Sequence, residues 1–337
     1  MKTVVVTGGS GFIFSHFVEL LLEKGYKVIN IDKLTYASNL DFKPKSPNYS
    51  FIKSDIAELD DLPHCDYIVH AAACSHVDRS IVKNDEFVST NILGTHNLLE
   101  ILRKKKIEHM NLGWEYKQPT FIYISTDEVF GDIENGFFAE GDRHNPSNPY
   151  AAAKSSAEML TKAWGRTYGI PYRITRTTNN YGGRQHHEKL IPMCITSCIN
   201  GEKIKIQGTG EYIRNWIYVK DNCNAVLKVM ESGKDGETYH ISSDEEYSVI
   251  DIAKMILARF GREFNNNTVE FVQNRSGQDV RYALNSEKIK AQLGWSQKHR
   301  LIDVLDDIID SYMKRLSSAT PGDSRLNLVG KDDSDIN

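Results

Sequence analysis

From residue 2 to residue 125, short runs rich in Val, Ile and Tyr alternate with longer stretches whose apolar residues recur at helical spacing. No other feature restricts the fold as much. Residues 2–7, 27–31, Tyr49–Lys53, Tyr67–His70 and 120–125 read as strands, each short and bounded by turn residues. FSHFVELLLEKG and TNILGTHNLLEILRKKK between them read as amphipathic helices. Strand–helix alternation of this kind implies a parallel sheet covered by helices on both faces. After Tyr181 the pattern loosens. HHEKLIPMCITSCING, SVIDIAKMILARFG and LIDVLDDIIDSYMKRL read as helices, KIKIQG as a strand, and EYIRNWIYVKDNCNAVLKVMESG as a strand feeding a helix.

The first strand runs into TGGSGF and then a helix, which places backbone N–H groups at a helix N-terminus where a pyrophosphate can bind. Gly8 and Gly11 occupy the first two positions of a dinucleotide-binding turn, and Asp32 ends the second strand about twenty residues on. A carboxylate there accepts both hydroxyls of an adenosine ribose and repels a 2′-phosphate, so the pair favours NAD over NADP. The fold class is therefore α/β: a Rossmann-type doubly wound parallel sheet with a smaller C-terminal substrate-binding α/β region. The third glycine position carries Phe14. That position sets how closely the helix packs on its strand, so the ring is expected in the helix–sheet seam, clear of the cofactor.

Composition narrows the function classes. The 41 basic residues nearly balance 45 acidic ones, so nothing points to an electrostatic nucleic-acid binder. Five cysteines (Cys65, Cys74, Cys194, Cys198, Cys223) form no CxxC pair, so a disulfide framework is not expected and a reducing cytoplasm is the natural compartment. There is no charged-then-apolar leader and no apolar run long enough to span a bilayer, so no membrane role is expected. No metal site is expected either.

Chemistry concentrates at STDEVFG, residues 125–131, and at NPYAAAK, residues 148–154. Tyr150 and Lys154 lie four apart at the start of a helical run and share a face. An ammonium beside a phenol lowers the phenol's pKa and gives a base for a sugar hydroxyl. Tyr49 and Lys53 match the same spacing, but in a strand with no nucleotide turn nearby.

TGGSGF, the run from Asp32 to Tyr36, HAAACSHVDRS, STDEVFG, the Tyr150/Lys154 pair, TTNNYGGRQHHEKLIP and RNWIYVKD occur in the order that marks the extended short-chain dehydrogenases. From Lys2 to Tyr312 the chain most resembles their nucleotide-sugar 4,6-dehydratases, which act on dTDP-glucose or UDP-glucose. The Thr126-Asp127-Glu128 triplet is the most specific element, because same-fold 4-epimerases and decarboxylases keep the Tyr and Lys but lack the two acids.

The resemblance implies a tightly held NAD that is regenerated in each turnover. Tyr150 would take the 4-hydroxyl proton while NAD takes the C4 hydride, with Thr126 bonded to the same oxygen. Glu128 would then remove the C5 proton while Asp127 protonates the departing 6-hydroxyl. The hydride would return to C6, leaving a 4-keto-6-deoxy sugar. Gly8, Gly11, Phe12, Ile13, Asp32, Lys33, Thr35, Asp55, Ile56, Ala71, Ala72, Ala73, Thr90, Tyr150, Lys154 and Asn180 would bind the cofactor. Ser75, Thr126, Asn179, Lys189, Leu190, Lys205, Gln207, Arg214 and Arg275 would bind the nucleotide sugar.

The same resemblance implies a homodimer formed through helices 86–104 and 150–168, with Ile92, Leu99, Leu102, Met159 and Ala163 among the apolar positions. The expected organisation is a cofactor unit over 1–180 with 215–242 returning to it, a substrate unit over 181–214 and 243–316, and a flexible polar tail over 317–337. Cys74, Phe130, Gly183 and Gln278 depart from the commonest family pattern. The rivals are a same-fold epimerase or decarboxylase and a catalytically silent NAD-binding protein. Asp127 and Glu128 speak against the first, and the complete Thr126/Asp127/Glu128/Tyr150/Lys154 set against the second.

Overall fold

A computed structural model describes residues 1–274 and 277–317 of the 337-residue chain. Arg275 and residues 318–337, nearly all of the expected tail, lie outside the described residues. Seven parallel strands form the main sheet: β1 (Thr3–Thr7), β2 (Lys27–Asp32), β3 (Tyr49–Lys53), β4 (Tyr67–His70), β5 (Thr120–Thr126), β6 (Tyr172–Thr177) and β10 (Thr238–Ile241). Their spatial order is β10-β6-β5-β4-β1-β2-β3. The order reverses between β1 and β4, where the carboxyl ends of neighbouring strands open a crevice suited to a ligand.

Both faces of this sheet are covered, which explains why its strands read as nearly continuous apolar runs. Val4 and Val6 of β1 join a core with Phe17 and Leu21 of helix Phe12–Glu23 and with Val226 and Met230 of helix Val219–Ser232. Val5 points to the opposite face, into a core with Leu98 and Leu102 of helix Gly94–Asn111 and Ala157 of helix Pro149–Tyr168. A third core gathers helices Leu190–Ile199, Val249–Arg259 and Leu301–Ser317. It is completed by the ribbon β8 (Ile204–Gln207) with β12 (Val269–Val272), and by β7 (Asn179–Tyr181), β9 (Ile213–Tyr218) and β11 (Glu246–Ser248), which form a separate sheet.

The expected helix over 86–104 is three segments: a short turn at Asp85–Phe87, a π-helical stretch at Val88–Leu93, and an α-helix that runs on to Asn111. Of its apolar positions, Leu99 and Leu102 are buried in the subunit's own core, whereas Ile92 is half-buried and Met159 and Ala163 on the neighbouring helix are exposed. All five cysteines are unpaired. Among the described residues no helix is long and apolar enough to cross a membrane.

Phe14 is 6% exposed and meets Phe17 edge-on, with ring centroids 5.6 Å apart. It belongs to the core that joins its own helix to β1 and to helix Val219–Ser232. Phe14→Gly should therefore cost about 3–5 kcal/mol, the range for emptying a buried aromatic site. NAD should still co-purify with whatever protein folds. Sharply tighter NAD binding in the folded variant would instead place the ring in the cofactor's path.

Candidate active site

Five strands of the main sheet deliver residues to one edge. β1 ends in the turn at Gly8–Gly11, β2 at Asp32, β4 beside Ala71, Ala72 and Ala73, β5 at Thr126, and β6 just before Asn179 and Asn180. Gly8 adopts φ +74°, and a side-chain carbon on it would stand 2.7 Å from the Cα of Ala72. Only glycine allows these two backbones to approach so closely. Helix Phe12–Glu23 begins at Gly11 with no side-chain cap, so the first-turn amides around Phe12 and Ile13 face the crevice with no side-chain acceptor.

Asp32 accepts from the amides of Ser10 at 3.0 Å and Leu34 at 2.8 Å, which fixes its carboxylate under the turn with lone pairs remaining for a ligand. Next to it, Lys33 donates to both Asp55 and Thr90 at 3.0 Å, and the Thr35 amide donates to the Ser38 hydroxyl at 3.1 Å at the start of the following turn. Ile56 is buried against Gly94. Asn180 donates to Thr177 and Thr178 while its buried Oδ1 has no partner. An uncapped helix start, a glycine contact that admits no Cβ, and a fixed carboxylate at the end of β2 together suit NAD.

The catalytic candidates follow from the end of β5. Thr126 ends the strand, and Asp127–Phe130 forms a tight helical turn after it. The Thr126 hydroxyl donates to Asp127 Oδ1 at 3.0 Å. Asp127 is 4% exposed, and its Oδ2 is buried without a partner. Burial, reinforced by the charge of Glu128, pushes its carboxyl from 3.8 up to about 7. Glu128 is only half-buried and accepts a hydrogen bond from Asn148 at 3.2 Å. Two adjacent acids thus occupy unlike surroundings, one dry and one partly wet.

Tyr150 and Lys154 lie on the first two turns of helix Pro149–Tyr168, both buried. The sequence-based expectation that Lys154 lowers the phenol's pKa is not what this structure shows. Burial and the Glu128 charge push Tyr150 well above its ordinary value. Burial also depresses Lys154 to about 7, and its ammonium donates to the Ile124 carbonyl. The competing pair Tyr49/Lys53 sits on β3, with Lys53 exposed.

The expected substrate residues are spread over the rim. Lys189 donates to the backbone of Ser75 at 3.3 Å, joining two of them, and Leu190 opens helix Leu190–Ile199. Asn179 carries a buried amide nitrogen without a partner. Arg214 is 7% exposed, is held by the carbonyls of Ile213, Asp279 and Val280, stacks on Tyr282 at 4.4 Å, and stabilises the charge on Asp127. Lys205 is exposed and Gln207 half-buried on β8. Cys74 packs as a small hydrophobe against Val77, Phe87, Tyr150 and Ala153, and Asn91 clamps its backbone with bonds of 2.8 and 3.0 Å. Among the described residues no group of three or more His, Cys, Asp or Glu is placed to hold a metal ion.

Two residues of the site were missed from the sequence. Asn91, inside the π-helical stretch, gave no signal. Asn148 did: Asn followed by Pro is a helix start, the Asn as cap and the Pro in the first turn. Its second contact, to Glu128, has no sequence signature.

Residues 5–308 match the family model described as GDP-mannose 4,6 dehydratase. The low-salt glycan biosynthesis protein Agl12 of Haloferax volcanii is 42% identical over 318 residues, 92% of this chain and 98% of that protein. The dTDP-glucose 4,6-dehydratase of Haemophilus influenzae is 38% identical over 342 residues, covering 95% and 100% of the two chains. The crystal structure of DesIV, a dTDP-glucose 4,6-dehydratase from Streptomyces venezuelae with NAD bound, superposes with a TM-score of 0.86 at 36% identity, covering 95% of this chain and 99% of that one.

Proposed function

This chain belongs to the nucleotide-sugar 4,6-dehydratase family of extended short-chain dehydrogenases, and from that premise we propose that it converts a nucleotide-activated glucose to the 4-keto-6-deoxy sugar by an internal, NAD-dependent redox dehydration. The observation that carries this reading is the unlike pair Asp127 and Glu128. Loss of water from C5 and C6 needs one carboxyl that holds a proton near neutral pH and one that accepts a proton, and environment separates two such acids. Asp127, dry and raised to about 7, suits the acid. Glu128, partly solvated, suits the base. A 4-epimerase or decarboxylase has no use for that division.

NAD, when bound, supplies the hydride acceptor for C4 and the donor for C6. The turn at Gly8, Gly11, Phe12 and Ile13 would hold its pyrophosphate and Asp32 its adenosine ribose. Lys33, Thr35, Asp55, Ile56, Ala71, Ala72, Ala73, Thr90, Lys154 and Asn180 would complete the pocket. As the phenolate, the form in which it is a base, Tyr150 would take the proton from the 4-hydroxyl, and Thr126 would bond the same oxygen. The 4-ketone acidifies the C5 proton, which passes to Glu128 as Asp127 gives its proton to the departing O6. Arg214 offers a fixed fork of donors for a diphosphate, as does Arg275, which lies outside the described residues. Ser75, Asn179, Lys189, Leu190, Lys205 and Gln207 would line the rest of the substrate site.

Residues 1–180 with 215–242 form the cofactor unit in this reading, and 181–214 with 243–316 the substrate unit. The protein acts in the cytoplasm as a homodimer joined through the outer faces of helices Gly94–Asn111 and Pro149–Tyr168, where Met159 and Ala163 are exposed. A monomer by light scattering at micromolar concentration would remove the dimer. Among bases, dTDP-glucose is favoured by the relatives of that name. Thymine and uracil differ by one methyl group, worth roughly 1 kcal/mol in an apolar pocket, so parallel assays should show a preference of several-fold for dTDP-glucose. A preference for UDP-glucose would reverse that choice.

A further inference from the structure

We propose that Asn148 is a positioning residue for Glu128: one side chain caps the catalytic helix and, through its other end, aims the carboxylate that takes the C5 proton. The inference rests on the dehydratase reading and extends it to a residue outside the triplet and the Tyr/Lys pair.

Asn148 is 7% exposed and precedes Pro149 at the start of the helix that carries Tyr150 and Lys154. Its Oδ1 accepts from the amide of Ala151 at 2.9 Å, and its Nδ2 donates to Glu128 Oε2 at 3.2 Å. The orientation of the amide is not free. A backbone N–H can only donate, so the atom facing Ala151 must be the oxygen, and the nitrogen is left for the carboxylate. The cap therefore dictates the donor. Because the helix start and Glu128 share one planar amide, the base is held in register with Tyr150 and hence with the sugar atom that Tyr150 prepares.

The segment leading into Asn148 is itself fixed on both sides. Asn145 donates its amide to Val129 at 2.9 Å, and Gly131, at φ +72°, lies so close to the Asn145 carbonyl that an added side-chain carbon would stand 2.3 Å from it. From the other side, Ser147 donates to Asp279 Oδ1 at 2.6 Å, and Asp279 also receives the Tyr282 hydroxyl and lends its carbonyl to Arg214. The turn bearing Asp127 and Glu128, the helix bearing Tyr150, and the strand segment bearing Arg214 thus meet at residues 145–148. A planar side chain fixed in this way can direct a neighbouring carboxylate to a fraction of an ångström, and a misplacement of about 1 Å costs on the order of 10²-fold in rate.

The cap and the donor can be separated. Serine and aspartate both cap helices well, so Asn148→Ser and Asn148→Asp should keep the melting temperature near that of the parent. Serine lacks the reach to Glu128, and aspartate sets a second carboxylate against it. NAD-loaded protein is mixed with dTDP-glucose in heavy water, and three quantities are followed: melting temperature, reduction of the bound cofactor, and exchange of the C5 hydrogen. Both variants should melt normally and reduce the cofactor at the parental rate, while C5 exchange slows on the order of 10²-fold, more in Asn148→Asp than in Asn148→Ser. C5 exchange at the parental rate in both variants would overturn the proposal. So would a fall in cofactor reduction as large as the fall in exchange, since the amide would then be serving the helix and Tyr150 rather than Glu128. Glu128→Gln in the same assay keeps the two levels apart: if it leaves C5 exchange intact, the fault lies in the role given to Glu128 and not in Asn148.

Discussion

Glu128→Gln should halt the reaction after the first oxidation. Tyr150 and Thr126 remain to take the 4-hydroxyl proton, so the bound cofactor becomes reduced and a 4-keto-glucose with its 6-hydroxyl accumulates. No hydrogen should exchange at C5 in heavy water. Asp127→Asn should differ, with C5 exchange continuing while water loss slows by roughly the 10²–10⁴-fold expected for removal of a general acid. The burial that separates the two residues also sets a pH signature. Asp127 is raised from 3.8 to about 7, so its acid form survives at neutral pH and is lost as pH rises through about 7. Water loss should decline over that range in the parent and lose the limb in Asp127→Asn. Exchange that persists in Glu128→Gln and vanishes in Asp127→Asn would reverse the two roles. Normal dehydration by both variants would remove the dehydratase reading itself.

Arg176→Met should destabilise the fold by about 3 kcal/mol, the low end of the cost of breaking a buried ion pair, because Lys162 still meets Glu158 at 2.7 Å. Arg176 and Glu158 are both fully buried, and Arg176 bonds Glu158 through Nε at 3.1 Å and through a second nitrogen at 2.5 Å. His144 and His240 each accept from the same guanidinium, at 2.9 and 3.1 Å, and the ring of Phe130 covers it at 4.6 Å. Neighbouring cations and hydrogen bonds hold the Glu158 carboxyl well below its ordinary value despite its burial. Glu158 lies one turn beyond Lys154 and supports its charge against desolvation. Replacing both partners by apolar residues of similar volume removes the stranded charge, so Arg176→Met with Glu158→Leu should recover most of the loss. Denaturant titration of the single and double variants decides this, and a single variant within about 1 kcal/mol of the parent would count against it.

The sheet was legible because parallel strands buried on both faces leave an unambiguous trace: Val4, Val5 and Val6 serve two cores at once and so appear as a run. Strands β6 and β10 were not singled out, since YRITRT and TYHI mix polar and apolar residues and Arg176 is buried only because Glu158 meets it from a helix. The π-helical stretch at Val88–Leu93 has no compositional mark, and it broke what read as one helix. At the site, residue types and order single out Asp127, Glu128, Tyr150 and Lys154 as candidates, because each motif is local. What they do to one another is not local. The phenol's raised pKa, the direction of the Lys154 ammonium and the contact between Asn148 and Glu128 all depend on burial and on the meeting of β5 with a helix 20 residues further along.

The most direct test of an internal redox dehydration follows one hydrogen. Purified protein, with no cofactor added, is given dTDP-glucose deuterated at C4, and the product is analysed by mass spectrometry and proton NMR. The expected product has lost one water, keeps its deuterium, and carries it on C6. Unchanged substrate, an epimer of the same mass, or a dehydrated sugar with the deuterium released to solvent would contradict the reading.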